Sequence, residues 1–191
     1  MSLIIAEVKD GAVYMGADTR TSAGDLQFTQ KSANNLKIHK MPNGILLGRA
    51  GLVKATQILS CHKDWFEGED AKQLSKEFIV TQIIPKLYRE LNKRKLLERT
   101  APARMEGTFL IAQGNRLFRI ASDFSVIVAP GFDSIGCGQD AAFAIQELNA
   151  DCPMREKFLK GLRLAASCDS TIAAPFVFID TKTLEFEFVE E

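Results

Sequence analysis

Residues 2–20 read Ser2-Leu3-Ile4-Ile5-Ala6-Glu7-Val8-Lys9-Asp10-Gly11-Ala12-Val13-Tyr14-Met15-Gly16-Ala17-Asp18-Thr19-Arg20. Two short apolar runs, 4–8 and 12–17, flank Asp10-Gly11, a dipeptide suited to the positive backbone dihedrals of a tight hairpin turn. The stretch therefore predicts two antiparallel strands, with Ser2 leading into the first and Asp18 closing the second. The place of Ser2 has a chemical consequence. Removal of Met1, which a small second residue permits, would leave one residue carrying both a hydroxyl nucleophile and an α-amine able to take its proton, directly or through water. An unperturbed α-amine, with a pKa of ~7.7–8.0, keeps an appreciable neutral fraction at physiological pH. While Met1 remains there is no free amine. Taken alone, Ser2 reads more simply as an ordinary second residue.

Working outward, Leu36–Met41 and Ile45–Leu47 repeat the hairpin pattern around Pro42-Asn43-Gly44, and the polar stretch between, Thr19 to Asn35, reads as a long loop with one extended segment at Leu26–Phe28. Beyond Ala50-Gly51 the apolar period becomes helical. Leu52, Ala55, Ile58 and Leu59 share one face. A second helix is expected from Asp70 toward Leu97, with Leu74, Phe78, Ile83, Leu87 and Leu91 facing the core and Pro85 marking a kink. Strands follow at 108–112, 117–120 and 126–128. Gly136-Cys137-Gly138 opens a helix through Leu148, Pro153 starts another through Ala165, and strands at 176–179 and 184–189 close the chain. Strands, two helices, strands, two helices and strands, in that order, predict an α+β fold. The expected arrangement is a four-layer αββα sandwich, two mainly antiparallel sheets between two helix layers, in a single domain spanning 1–191.

Composition narrows the classes of function. At 191 residues the chain can bury one substantial core, and 24 basic against 24 acidic side chains give no polyelectrolyte attraction for nucleic acid. The cluster Lys86–Arg99 interleaves Glu90 and Glu98 with its cations and reads as a solvated helix face. Four cysteines, none in CxxC spacing, and two histidines give no zinc pattern. The adjacent Cys61 and His62 point in different directions on a helix, which argues against a nucleophile–base dyad. Residues 1–8 carry Glu7 and no basic leader, so no membrane partner and a cytoplasmic location with reduced thiols are expected.

Several of these features recur together in one family. Ser2, the Lys9-Asp10-Gly11 turn, Gly16-Ala17-Asp18-Thr19-Arg20, Lys37-Ile38, Ala50-Gly51 before a helix, Ile135-Gly136-Cys137-Gly138 and Asp169, in this order over nearly the whole chain, resemble a proteasome-type β-subunit and the related peptidase subunit of bacterial two-component ATP-dependent proteases. The resemblance implies an N-terminal-nucleophile hydrolase, assembly into a homo-oligomeric ring, unfolded polypeptide as substrate and a separate ring ATPase as unfoldase. It implies no metal or organic cofactor.

The resemblance also implies roles. Ser2 stands at the nucleophile position in place of the family's threonine, with the same hydroxyl but without the methyl group that restricts rotation. Asp18 corresponds to the acid that pairs with a catalytic lysine; as a bare sequence feature it is also a turn residue after a strand. Lys31, Lys37 and Lys40 compete for the lysine role. Counting forward from Asp18 lands near Asn34 or Asn35, whereas counting backward from Ala50-Gly51 selects Lys37, so Lys37 is assigned and a short insertion is placed in the 24–36 loop. Its charge would lower the proton affinity of the amine and hydroxyl. Gly51, at a strand-to-helix junction, corresponds to the oxyanion donor, and equally serves a tight turn. Cys137 stands where the family has a serine that bonds the terminal amine, and a thiol is a weaker partner. Asp169 matches a second supporting aspartate, but the family's following serine and glycines become Ser170-Thr171-Ile172-Ala173-Ala174, with Ser170 the candidate hydroxyl. Thr21, Ser22 and the 48–54 stretch are expected to line the substrate pocket, where Arg49 would favour acidic side chains. Two other readings of the same residues are an inactive ring or scaffold subunit and an amidase for small amides.

Overall fold

The computed structural model describes residues 2–23, 26–29, 36–98 and 100–190. β1 (Leu3–Lys9) and β2 (Ala12–Asp18) form the expected hairpin, with Ile4 opposite Ala17 and Lys9 opposite Ala12. Asp10 and Gly11 both take positive φ, 50° and 74°, matching the turn to the twist of the strands it joins. β3 (Arg20–Ala23) and β4 (Leu26–Thr29) pair as a separate two-stranded ribbon, which corrects the expectation of a long loop with one extended segment. β4 is exposed along its length, so it lacks the alternation that marks a half-buried strand.

β5 (Ile38–Lys40) and β6 (Leu46–Gly51) flank the Pro42–Gly44 turn and lead into α1 (Val53–Cys61). The next helix starts later than Asp70. A short 3₁₀ turn at Asp70–Gln73 precedes Ser75, whose hydroxyl accepts the Phe78 amide at 3.0 Å and caps the helix. α2 (Lys76–Phe78), one π-type turn (Ile79–Ile83) and α3 (Ile84–Lys93) then run on without a break. The widened turn lies immediately before Pro85, which has no N–H to give and whose ring crowds the preceding turn. After Lys93, β7 (Leu97–Glu98) pairs with β8 (Arg104–Met105). β9 (Gly107–Gln113), β10 (Arg116–Ile120) and β11 (Val126–Val128) follow as expected. β12 (Phe132–Gly136) is a strand where sequence pattern gave none, and the helix expected to open at Gly136, α4 (Gln139–Leu148), starts only after it. α5 (Met154–Cys168), β13 (Phe176–Asp180) and β14 (Glu187–Val189) complete the chain.

Among the described residues the result is a mixed α+β fold with two five-stranded sheets, ordered β12-β1-β2-β13-β14 and β11-β10-β9-β6-β5, antiparallel at every pairing. The two-residue period of a strand sends neighbouring side chains into different cores. Leu3 and Ile5 of β1 pack with Phe158, Leu162 and Ala165 of α5, while Ile4 and Ala6 pack with Leu46, Leu110 and Leu117 of the other sheet. On that second sheet Leu47, Phe109 and Ile111 pack instead with Ile58, Leu59, Ile83, Leu87 and Leu91 of the α1–α3 helices. Each buried leucine, isoleucine or phenylalanine among them contributes roughly 1.5–3 kcal/mol of transfer free energy, and a register slip in β1 would exchange the contents of two cores at once. No helix among the described residues is long and apolar enough to cross a membrane.

Candidate active site

β1 begins one residue after Ser2, and its pairing with β2 brings the start of one strand beside the end of the other. The Leu3 amide donates to Asp18 Oδ1 at 2.9 Å, and the Arg20 amide donates to Asp18 Oδ2 at 3.2 Å. Lys37 Nζ completes the set, 2.7 Å from each carboxylate oxygen. Asp18 is fully buried and Lys37 is 5% exposed, so the pair is sealed from solvent. Burial is the largest influence on both groups: it raises the proton affinity of Asp18 and lowers that of Lys37, while their mutual attraction opposes each shift. Lys40 lies elsewhere, its Nζ 4.8 Å from the centre of the Phe186 ring. Lys31, Asn34, Asn35 and Met1 lie outside the described residues, as does most of the 24–36 loop in which the short insertion is placed.

Ser2 is held from the other side by the β12–α4 junction. Gly136 has φ 103°, and a Cβ there would stand 2.1 Å from the Ser2 carbonyl oxygen, so only glycine admits this approach. Cys137 Sγ donates to the same carbonyl at 3.4 Å. Burial raises the thiol's proton affinity. Asp169 follows α5 and accepts at Oδ1 from the Thr171 amide at 2.8 Å and from its hydroxyl at 2.5 Å, and these bonds, with one to Cys137, hold its carboxyl below the usual range. The hydroxyl that meets Asp169 is thus that of Thr171. Ser170 is exposed, and its carbonyl accepts from Arg20 Nη1 at 2.6 Å.

Two adjoining cavities meet at Ser2. One, of about 330 Å³, is walled by Ser2, Thr21, Ser22, Lys37, Arg49, Gly51 and Glu106. The other, of about 340 Å³, shares Ser2, Gly51 and Glu106 and adds Cys137, Gly136 and Glu98. Gly51 takes φ 120°, and a Cβ would come within 2.5 Å of the Gly107 Cα, so the strand-to-helix corner depends on glycine. Arg49 Nε donates to His39 Nε2 at 2.8 Å, and Nη1 donates to Thr56 Oγ1 at 3.1 Å. The Ser22 hydroxyl is shielded from solvent and has no hydrogen-bond partner among the described residues. No group of three or more His, Cys, Asp or Glu side chains among those residues is placed to hold a metal ion.

The fold therefore brings Ser2, Asp18, Lys37, Gly51 and Cys137 together, with Asp169 beside Cys137 and with Thr21, Ser22 and Arg49 on the adjoining wall. Arg20, His39, Thr56, Glu106 and Thr171 belong to the same region and were not singled out by sequence. The Ala-Asp-Thr-Arg run held a signal for Arg20, since a cation two residues past a buried acid can return to the same site. Thr171 was masked by Ser170, an equally plausible hydroxyl one position earlier.

The fold is similar to those of several solved structures. BPH of Thiobacillus denitrificans is similar with a TM-score of 0.77 at 22% identity, over 93% of this chain and 96% of that one. The same protein in complex with epoxomicin is similar with a TM-score of 0.75 at 20% identity, over 99% and 100% of the two chains. Anbu, described as an ancestral β-subunit, from Yersinia bercovieri is similar with a TM-score of 0.73 at 16% identity, over 99% of this chain and 87% of that one. At these identities the likeness shows the fold. No family model and no curated protein sequence matches the chain.

Proposed function

We propose that the chain, after loss of Met1, is an N-terminal-nucleophile peptidase of proteasome β-subunit type, built as a single-domain four-layer αββα sandwich. The three separate apolar cores, one between the sheets and one under each helix set, support that layer order. One observation carries the catalytic reading: Ser2 opens onto the two cavities while its neighbour Leu3 is bonded to the buried Asp18–Lys37 pair.

In the proposed reaction the Ser2 hydroxyl attacks a peptide carbonyl and its proton passes to the α-amine. The Gly51 N–H donates to the developing oxyanion. The amine, now protonated, gives its proton to the departing amino group, leaving an ester on Ser2. Water, deprotonated by the same amine, then releases the acyl fragment. The Lys37 charge favours the unprotonated amine, and Asp18 holds Lys37 in place. Cys137 and Asp169, supported by Thr171, flank Ser2 on the other side. The substrate is unfolded polypeptide, with Thr21, Ser22 and Arg49 forming the wall that its side chains meet. A homo-oligomeric ring, a ring ATPase as partner and a cytoplasmic location complete the reading; the description of the similarly folded Anbu as a β-subunit supports assembly into an oligomer.

Hydrolysis of a fluorogenic peptide library by chain lacking Met1 tests the proposal. Turnover that disappears in Ser2→Ala and is faster in Ser2→Thr is expected. Turnover that survives Ser2→Ala, or none from the processed and fully assembled protein, overturns it.

A further inference from the structure

Away from Ser2, the turn between α4 and α5 and the first turns of α5 bring a thiol and an amine together. Lys160 Nζ carries three hydrogens, one for each of three acceptors. These are Glu156 Oε1 at 2.8 Å, Asn149 Oδ1 at 3.3 Å and Cys152 Sγ at 3.5 Å. None of the four residues lines either cavity at Ser2, so the peptidase reading makes no use of them. We propose that Cys152 and Lys160 form a modification site at which peroxide joins Sγ to Nζ through one oxygen atom, a covalent staple across the α4–α5 turn.

Both reacting atoms are held from more than one side. The Cys152 amide donates to the Asn149 carbonyl at 3.0 Å and closes the turn. Asn149 Nδ2 donates to the Ile145 carbonyl of α4 at 3.2 Å, which leaves Oδ1 as the acceptor that faces the pair. That one oxygen accepts from Cys152 Sγ at 3.7 Å and from Lys160 Nζ at 3.3 Å. Cys152 and Lys160 are both partly exposed, so peroxide reaches each of them. It reacts first at sulfur: the thiol loses its proton, an S–O bond forms as the O–O bond breaks, and sulfenic acid and water result. A second peroxide reacts at nitrogen. The ammonium gives a proton to Glu156, an N–O bond forms as the O–O bond breaks, and a hydroxylamine and a second water result. Condensation of the two hydroxyl groups releases a third water and leaves Sγ–O–Nζ. Sulfur and nitrogen each lose two electrons, and the two peroxides take up four. A gap of 3.5 Å is closed with less movement by a bridging oxygen than by a direct S–N bond. The bond to Glu156, with Cys152 adding to it, raises the proton affinity of Lys160, so the nitrogen step is the slower one. Two molecules of a dithiol return the four electrons and restore thiol and amine, with the bridging oxygen leaving as water.

The test treats the folded chain with hydrogen peroxide and maps it by mass spectrometry after digestion behind glutamate. Cuts after Glu147, Glu156 and Glu185 place Cys152 on peptide 148–156 and Lys160 on peptide 157–185. The expected product is these two peptides joined, with the mass of their sum plus one oxygen less two hydrogens, the link located on Cys152 and Lys160 by fragmentation. Dithiothreitol should separate them again. Cys152→Ser and Lys160→Arg should each lose the joined peptide more than tenfold, while Lys160→Arg still takes up oxygen at Cys152. Oxidation of wild-type Cys152 without a joined peptide, no oxidation at Cys152, or a link to Lys157 or Lys182 overturns the proposal. So does a joined peptide lighter than the sum by two hydrogens alone, which is a direct S–N bond, or one that persists in Lys160→Arg.

Discussion

Lys37 Nζ stands 2.7 Å from both carboxylate oxygens of Asp18, nineteen residues away in sequence, and the two side chains are sealed together beneath Ser2. Burial disfavours the charge on each, so the pair depends on mutual attraction and on the amides of Leu3 and Arg20.

Removing one partner should be far costlier than its exposure suggests. Lys37→Met is expected to lose about 3–5 kcal/mol of unfolding free energy, because Asp18 is left with a buried charge that only two amides satisfy. Chemical denaturation at neutral pH checks this, and a loss below about 1 kcal/mol would show that the pair is not buried as described.

His39 gives the protein a pH dependence of definite sign. Its pKa falls from 6.5 to about 4 on folding, so the unfolded chain binds more protons between these values. Stability from this group is fully present above pH 6.5 and is lost as pH falls through that window to about 4, with a total of about 3 kcal/mol. Urea unfolding of wild type and His39→Gln across pH 4–7 should show the slope in wild type and its reduction in the variant.

Gly136 should tolerate no side chain. Gly136→Ala places a methyl where the Ser2 carbonyl lies and takes a residue with Cβ to φ 103°, with a cost of about 1–3 kcal/mol for the backbone alone. Displacement of Ser2 should reduce reaction with an active-site-directed inhibitor by more than tenfold, even at temperatures where circular dichroism shows the variant folded. Inhibitor reaction at the wild-type rate would mean that the β12–α4 junction does not position Ser2.

The parts of this arrangement that sequence made legible are those fixed by strand register. Counting backward from Gly51 reaches Lys37 because β5 and β6 are paired, with Ile38 opposite Gly48 and the Arg49 amide bonded to the Lys37 carbonyl at 2.9 Å. An insertion before β5 cannot disturb that count. The first hairpin was legible for a similar reason, since Asp10-Gly11 carries its own turn geometry. β12 was not, because Phe132-Asp133-Ser134-Ile135-Gly136 buries an aspartate and a serine. Asp133 is paired with Arg119, and the Ser134 hydroxyl donates to the Ile4 carbonyl at 3.0 Å, partners that lie on other strands. The hold of His39 on Arg49 was equally hidden, since ten residues and a strand reversal separate them.

The central claim, that Ser2 acts through its hydroxyl and a free α-amine, is tested most directly by the intact mass of the chain after epoxomicin treatment. Epoxomicin is found in complex with the similarly folded BPH, and an adduct on this chain would report directly on a Ser2 nucleophile. Chain lacking Met1 should gain the mass of one inhibitor, and Ser2→Ala or chain retaining Met1 should gain none. An unmodified processed chain, or an adduct that persists in Ser2→Ala, would contradict the account.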